Sequence, residues 1–507
     1  MADNRPNILL ITSDQQHYST LGAVNPQICT PHLDRLCSEG VRFDRAYCPN
    51  PTCTPTRATI ITGMYPSQHG AWTLGTKLFE DVPTVGEALS AAGYATSLIG
   101  KAHFQPLASQ PGLESLECQP VLRDLDFWRG VHGPWYGFDR IEIGRMHGDE
   151  SHAGQHYAVW MEENGLSNWR DYFQPAPPEA PAGPRRHGSW DLPAEFHYTR
   201  WTGEKTIEQI RAAVRSGRPF FSWASFHDPH PPYVLPEPWA SMYDPAEMTP
   251  GTLTPGEHER NPVHFGLTQR PDARERLYEL FFEDQNIHGF GCQARDPQEI
   301  RGNMAIYYGM ISFMDQQIGR ILAALDELGV ADNTLVVFST DHGHFLGQHG
   351  LVAKGPFHYE DMIRIPFIVR WPGRVPAGRQ STAIQNLVDL APTFLAASGL
   401  EIPGVMTGVD QLGTWCGGDA VRTWSITENR HTLSNVHLRT YVNDRYKITV
   451  YRKLDDGELF DLQEDPGEVN NLWHEPSSSA VKSQLLQEML QATMSYEPTP
   501  MPRIAGA

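Results

Sequence analysis

Four short apolar runs, each ending abruptly in charged residues or histidine, constrain this chain more than any other feature. They are "NILLITSDQ", "ATSLIGKAH", "FFSWASFHDPH" and "TLVVFSTDHG". Near-continuous apolar runs of this length read as strands buried on both faces. Helical patterns lie between them. "TVGEALSAAG" stops at Gly93, and apolar residues at 306, 310, 314, 318, 321, 325 and 328 keep helical spacing up to Gly329. "IPFIVRWPG" adds one more apolar strand. Strands alternating with helices predict an α/β fold, a large and mostly parallel central sheet sandwiched by helices. Ligands of such sheets bind outside the carboxyl ends of the strands. Asp14, Lys101, His103, His230, Asp341 and His342 are therefore expected to converge there, although they are far apart in sequence.

Beyond the strands the chain changes character. Residues of about 105–200 and 236–300 are rich in Pro, Trp, Gly and His, as in "FQPAPPEAPAGPRRHGSWDLP". They read as long loops decorating the site. Their Trp and His residues either pack the loops onto the body or wall the organic half of a ligand. From about residue 420, "LRTYVNDRYKITVYRKLDDGELFDLQEDPGEVNNLW" alternates like hairpin strands, and a helix is expected near 479–495. The expected division is a catalytic domain over 1–419 and a small C-terminal antiparallel sheet with a helix over 420–507.

The chain has 507 residues, enough for a large core and more than one domain. It carries 40 basic and 60 acidic side chains, net -20, with no basic stripe of the kind that tracks nucleic acid. An anionic substrate would need a local cluster of Lys, Arg and metal against that background. Seven cysteines, at 29, 37, 48, 53, 118, 292 and 416, show neither zinc-type pairs nor a disulfide framework, which suits a reducing compartment. The opening "MADNRPNILLITSDQQ" has too short an apolar run for a signal peptide, and no segment approaches a membrane span. A cytoplasmic protein without membrane or nucleic-acid partners is the expectation. "RPDARERLYELFFED" fits a subunit contact or a solvated helix equally, so oligomeric state stays open.

One stretch carries unusual chemistry. In "NPTCTPTRATIITG", Cys53 is followed by Pro55 and Arg57. Proline suits the first turn of a helix, where its missing N–H costs nothing. Cys53 would then stand at a helix N-terminus beside a cation, a setting that favours an anion. The bland alternative is a small apolar residue that happens to start a helix.

"C-T-P-T-R" before "ATIITG" resembles the signature of the type I sulfatase family, in the alkaline phosphatase-like superfamily. The resemblance extends in order along most of the chain. "RPNILLITSDQ" is similar to the family's opening strand and first metal ligand, and "GYATSLIGKAHF" to its Gly-Lys-x-His segment. "FFSWASFHDPHPPY", "NTLVVFSTDHGHFLGQHG" and "ELFDLQEDPGEVNNL" resemble its Pro-His-x-Pro element, second metal strand and C-terminal segment. The long loops are the uncovered part.

The resemblance implies a sulfuric ester hydrolase, arylsulfatase-like, acting on a small-molecule or saccharide sulfate ester. Cys53 would be oxidised by a separate maturation enzyme to formylglycine, an aldehyde whose hydrate offers two hydroxyls. One attacks sulfur; the other later expels sulfate and restores the aldehyde. It further implies that Arg57 orients the diol and that Lys101 and Lys354 bind sulfate oxygens. His103 would be the base and His230 would serve the leaving oxygen, with His227 a competitor for that role. Arg364 is expected to serve structure through an ion pair. The implied metal ligands are Asp14, Gln15, residue 53, Asp341 and His342.

Two of these depart from the family pattern. Gln15 stands where most members have a second Asp, and His342 where many have Asn. Oxygen donors suit Ca2+, the first expectation. The imidazole and the lost carboxylate bring Mn2+ and Zn2+ within range. The rival reading is a phosphonate monoester or phosphodiester hydrolase of the same superfamily, which shares the D-Q and D-H pairs. Lys101 and His103 speak for the sulfatase. A non-catalytic binding protein on the same scaffold would be expected to lose these residues, and none is missing.

Overall fold

The computed structural model describes residues 5–173, 187–270, 272, 296–430 and 436–497. Cys292 and most of the amphipathic stretch 270–284 lie outside the described residues. The main sheet has eight strands in the spatial order 379–381, 41–43, 367–370, 334–340, 7–13, 220–225, 95–100 and 140–143. At its centre Asn7–Ser13 pairs in parallel with Thr334–Thr340 on one side and Phe220–Ser225 on the other. Ala95–Gly100 continues the parallel set. Phe367–Arg370 runs antiparallel, so the sheet is mostly rather than wholly parallel.

The apolar runs are continuous because both faces are covered. In Asn7–Ser13, Ile8 and Leu10 join one core cluster, and Leu9 and Ile11 join another on the opposite face. The second cluster is built largely by the 31-residue helix Pro297–Glu327, with Ile306, Met310, Met314, Ile318, Ile321 and Leu325 buried in it. Gly329, at φ +67°, follows that helix in the left-handed conformation expected of a stop.

The loop reading of 105–200 needs correction, because the region holds the helices Leu125–Gly130 and Gln155–Glu163 as well as a strand. Arg140–Ile143 is the edge strand of the main sheet, parallel to Ala95–Gly100. Its four residues "RIEI" carry two charges, which hide it among the polar loops. The tryptophans of this region settle onto the body: Trp128 and Trp169 are fully buried.

Ser425–Arg430, His437–Val442, Tyr446–Tyr451 and Gly457–Asp461 form a separate antiparallel sheet. The helix Ser479–Ser495 packs on it through Leu485, Met489 and Ala492. No helix among the described residues is long and apolar enough to cross a membrane.

The four central parallel strands end on one edge of the sheet. Asp14, Lys101, Phe226 and Asp341 are the first residues beyond them. Gly100 sets that edge: at φ +98°, a Cβ there would lie 2.0 Å from the Ser225 carbonyl oxygen. Gly165, at φ +95°, has nothing within 4 Å of the same position. Gly100→Ala should therefore cost at least about 2 kcal/mol through overpacking, and clearly more than Gly165→Ala, which meets backbone strain alone. Equal denaturant midpoints for the two variants would contradict this account of the edge.

Candidate active site

The helix Cys53–Thr62 brings its N-terminus to that edge. All ten of its residues are buried, and Gly63 closes it at φ 62° with its N–H on the Thr59 carbonyl. Asn50 fixes the entry: its side-chain oxygen accepts from the Thr52 N–H at 2.8 Å, and its amide donates to the Glu428 carbonyl at 2.6 Å. Pro55 falls in the first turn, as its missing donor requires.

Cys53 Sγ lies 3.6 Å from Asp14 Oδ1, 3.3 Å from His342 Nε2 and 3.3 Å from Lys354 Nζ. Asp14, Cys53, Asp341 and His342 offer four ligand atoms within 4.8 Å of one another, all buried. Arg57 binds both carboxylates, with Nε 3.0 Å from Asp341 Oδ2 and a terminal nitrogen 3.6 Å from Asp14 Oδ2. Its other terminal nitrogen donates to Ser225 Oγ at 2.6 Å and to the Lys101 carbonyl at 3.0 Å. The Lys101 ammonium binds Asp14 and His147. Three basic side chains thus meet two carboxylates in a buried site, the local excess that an anion needs.

The donor set fits a divalent cation. The Gln15 amide nitrogen donates to His344 Nδ1 at 2.9 Å, and the Gln15 Oε1 acceptor is buried with no hydrogen-bond partner. Such an acceptor is costly unless something fills it. The backbone N–H of Gln15 donates to Asp341 Oδ1, so the residue is tied to the cluster. His342 Nδ1 faces the Gly343 carbonyl at 3.1 Å, which places its proton there and leaves Nε2 as a lone pair toward Cys53.

Electrostatics follow the same geometry. Burial would raise the Asp14 carboxyl, but Lys101, His230, Arg57 and Lys354 outweigh it and hold the group well below its usual range. Burial and the Asp14 charge push the Cys53 thiol up; Lys101 and Lys354 reverse this, and the net direction is down. Burial, then Lys354, depresses His230.

The sequence expectations are met unevenly. Asp14, Gln15, Cys53, Arg57, Lys101, Asp341, His342 and Lys354 are brought together. His230 joins them through Lys354 Nζ, 3.3 Å from its Nε2. His227 is occupied instead: its Nε2 faces the Gly144 carbonyl at 2.7 Å, and burial lowers its pKa to about 3. His103 pairs with Arg145 rather than with the cluster. Arg364 lies over the Tyr18 ring at 4.3 Å, a cation–π contact in place of the expected ion pair.

Glu117, Arg145 and His147 fall outside the sequence expectations. His147 stacks on His230 at 3.8 Å between ring centroids, and its Nε2 lies 3.9 Å from Asp14 Oδ2. A signal for the last two exists: "RIEIGRMHGDE" is a fifth strand that ends in Arg and His.

The family model described as Sulfatase matches residues 6–400. A second, described as N-sulphoglucosamine sulphohydrolase, C-terminal, matches residues 347–495. The chain is 26% identical to the uncharacterized sulfatase YidJ of Escherichia coli, over 96% of this chain and 86% of that protein. It is 28% identical to the multifunctional alkaline phosphatase superfamily protein PehA of Trinickia caryophylli, over 97% of this chain and 96% of that protein. Among solved structures it is similar to the phosphonate monoester hydrolase SpPMH of Silicibacter pomeroyi, with a TM-score of 0.78 and 26% identity over 98% of this chain and 96% of that one. With the site and these matches in agreement, the chain belongs to the sulfatase family of sulfuric ester hydrolases, within the alkaline phosphatase-like superfamily.

Proposed function

We propose that this chain hydrolyses sulfate monoesters of a small molecule or saccharide, with residue 53 acting as formylglycine and a divalent cation held by Asp14, Gln15, Asp341 and His342. The observation that carries this reading is the position of Cys53 Sγ, in contact at once with Asp14, His342 and Lys354. That sulfur stands in for the oxygens of a hydrated aldehyde. The hydrate supplies the nucleophile and the second hydroxyl for release, and the cation would supply Lewis-acid polarisation.

The protein's own groups do the rest. Arg57 locks Asp341 and Asp14 in place from below, so the carboxylates need no reorganisation when charge develops. Lys354, between Cys53 and His230, and Lys101, on Asp14, are placed to bind the oxygens of a tetrahedral sulfate. His230 lies beside Lys354, where the leaving oxygen would emerge. Ca2+ is the first choice of ion, and the His342 imidazole makes Mn2+ or Zn2+ better fits than at an all-oxygen site.

A second reading, phosphonate monoester hydrolysis, is favoured by the match to SpPMH over nearly the whole chain. Assay of the purified protein on an aryl sulfate and an aryl phosphonate monoester separates the two. The expected outcome is preference for the sulfate, loss of at least about 1,000-fold in Cys53→Ala, an unchanged thermal midpoint, and aldehyde mass on the peptide holding residue 53. Preference for the phosphonate, with the same dependence on Cys53, would replace the first reading by the second.

Chelation should abolish activity, and Ca2+, Mn2+ or Zn2+ should restore it. The effective ion should also raise the thermal midpoint of the metal-free chain, because a ligand that binds only the native state stabilises it. His342→Asn should shift the preference toward Ca2+. Full activity after exhaustive chelation, with no midpoint response to any of the three ions, would sink the metal assignment.

A further inference from the structure

Lys354 stands at the foot of a hairpin whose far end is built around one histidine. Phe345–Leu346 pairs antiparallel with Val352–Ala353, and Lys354 follows directly. The turn between the two strands carries His349 in the left-handed region, at φ 56°. A side chain persists in that conformation where its surroundings fix it. Its backbone N–H and carbonyl are both taken by one neighbouring segment. The N–H donates to the Thr252 carbonyl at 3.0 Å, and the carbonyl accepts from His258 Nε2 at 3.0 Å. The Gly251 N–H adds a bond to the Leu346 carbonyl at 3.0 Å.

The ring is held as firmly. It stacks on Tyr359, with 3.6 Å between centroids and 5° between planes. Nδ1 lies 3.0 Å from Glu257 Oε1, and Nε2 lies 3.6 Å from Asp361 Oδ2. An ionised carboxylate accepts and does not donate. Both ring nitrogens therefore carry protons, and the ring is an imidazolium. His349, Glu257 and Asp361 are all buried. The other titratable groups around the ring agree with this. His17 accepts from the Ser19 N–H at Nδ1, so its Nε2 donates to Asp361 Oδ1 at 2.8 Å. His258 accepts from Asn261 at Nδ1, is lowered by burial and adds no charge. Glu468, paired with Lys447, adds negative charge. Burial opposes the charge on His349, but its bonds to Asp361 and Glu257 outweigh that and raise it to about 9.

We propose that His349 is a positioning residue: a buried imidazolium, tied to Glu257 and Asp361, that pins the hairpin presenting Lys354 to the sulfate oxygens of the substrate. The clamp follows from the geometry; the ligand of Lys354 rests on the sulfate-ester reading. The raised value fixes the sign of the pH dependence. The clamp's contribution to stability is full below about pH 6.5, the ordinary histidine value, and is lost as pH rises through about 9.

The first arm of the test needs no substrate. The full chain labelled with 15N-histidine should show both His349 ring nitrogens protonated at neutral pH and titrating at about 9. The signals are assigned by their loss in His349→Gln or, if that variant does not fold, by their shift in Glu257→Gln. Glu257→Gln removes one carboxylate of the clamp and should lower the midpoint by at least about one pH unit. Hydrogen exchange read by mass spectrometry should be faster over residues 345–354 and 249–258 in both variants, and unchanged in the helix Ser479–Ser495. A wild-type ring that loses its proton between about pH 5 and 8, or hairpin exchange unmoved in the variants, would overturn the proposal.

Activity provides the second arm. On an aryl sulfate, kcat/KM should fall along an alkaline limb at about pH 9, chiefly as a rise in KM. Inorganic sulfate should lose about 10-fold in affinity over the same limb, the effect of one displaced hydrogen bond to a charged group. Glu257→Gln should carry the limb to lower pH together with the His349 midpoint. A limb that stays in place while the midpoint moves would overturn the positioning role. If the wild type hydrolyses no sulfate ester, the function proposed above fails, and the spectra and the exchange still decide the clamp.

Discussion

Everything at this site depends on two carboxylates, Asp14 and Asp341, fully buried at the end of parallel strands. Buried alone, each would be protonated or would disrupt the sheet edge. Arg57 prevents this by binding both, and its charge is balanced by them in turn. The permanent charge and forked donors of arginine suit the task better than lysine would. Removing Arg57 would strip Asp341 of its ion pair and leave Asp14 to Lys101 alone, a loss of about 3–5 kcal/mol for a broken buried pair. Lys101 on Asp14 and Lys354 on Cys53 bring the cationic side chains to three against two carboxylates, a net positive charge that suits an anion.

The second sheet is tied directly to this chemistry. Its first strand takes the Thr427 hydroxyl to the Cys48 carbonyl at 2.6 Å and the Glu428 N–H to the Pro49 carbonyl at 2.8 Å. Those bonds hold the turn that leads into Cys53. A buried ion cluster does the same for the segment carrying Lys354: the Lys447 ammonium reaches the His358 carbonyl at 2.7 Å and pairs with Glu468, whose carboxylate receives the Glu360 N–H at 2.6 Å. The turn before Cys53 and the segment carrying Lys354 are therefore braced from the same side. This explains why a small antiparallel sheet accompanies a catalytic body that already has its own core.

Most of this architecture is legible in the sequence because its strands are buried on both faces. A short apolar run closed by Asp, Lys or His has few other uses, and the strand-end rule places Asp14, Lys101 and Asp341 correctly. It fails at Arg140–Ile143, where an edge strand with two charges looks like loop, and Arg145 and His147 are lost with it. The family pattern supplies what spacing does not, above all the reading of Cys53 as a precursor. It has no means of showing that His103 faces a guanidinium, because Arg145 lies 42 residues away and meets it only through the fold. His227 and Arg364 go to structural contacts for a similar reason. A strand end offers several polar residues, and neighbouring backbone or rings take the ones that the chemistry does not use.

The central claim is that residue 53 attacks sulfur and that a second hydroxyl on the same carbon sets it free. Serine has one hydroxyl and lacks the second. The most direct measurement is therefore a single-turnover experiment on the metal-loaded Cys53→Ser variant with an aryl sulfate, followed by mass analysis of the peptide holding residue 53. The account predicts up to one equivalent of phenol, no further turnover, and sulfate retained on the substituted side chain at position 53. Steady turnover, or a phenol burst with sulfate on another residue, would contradict it.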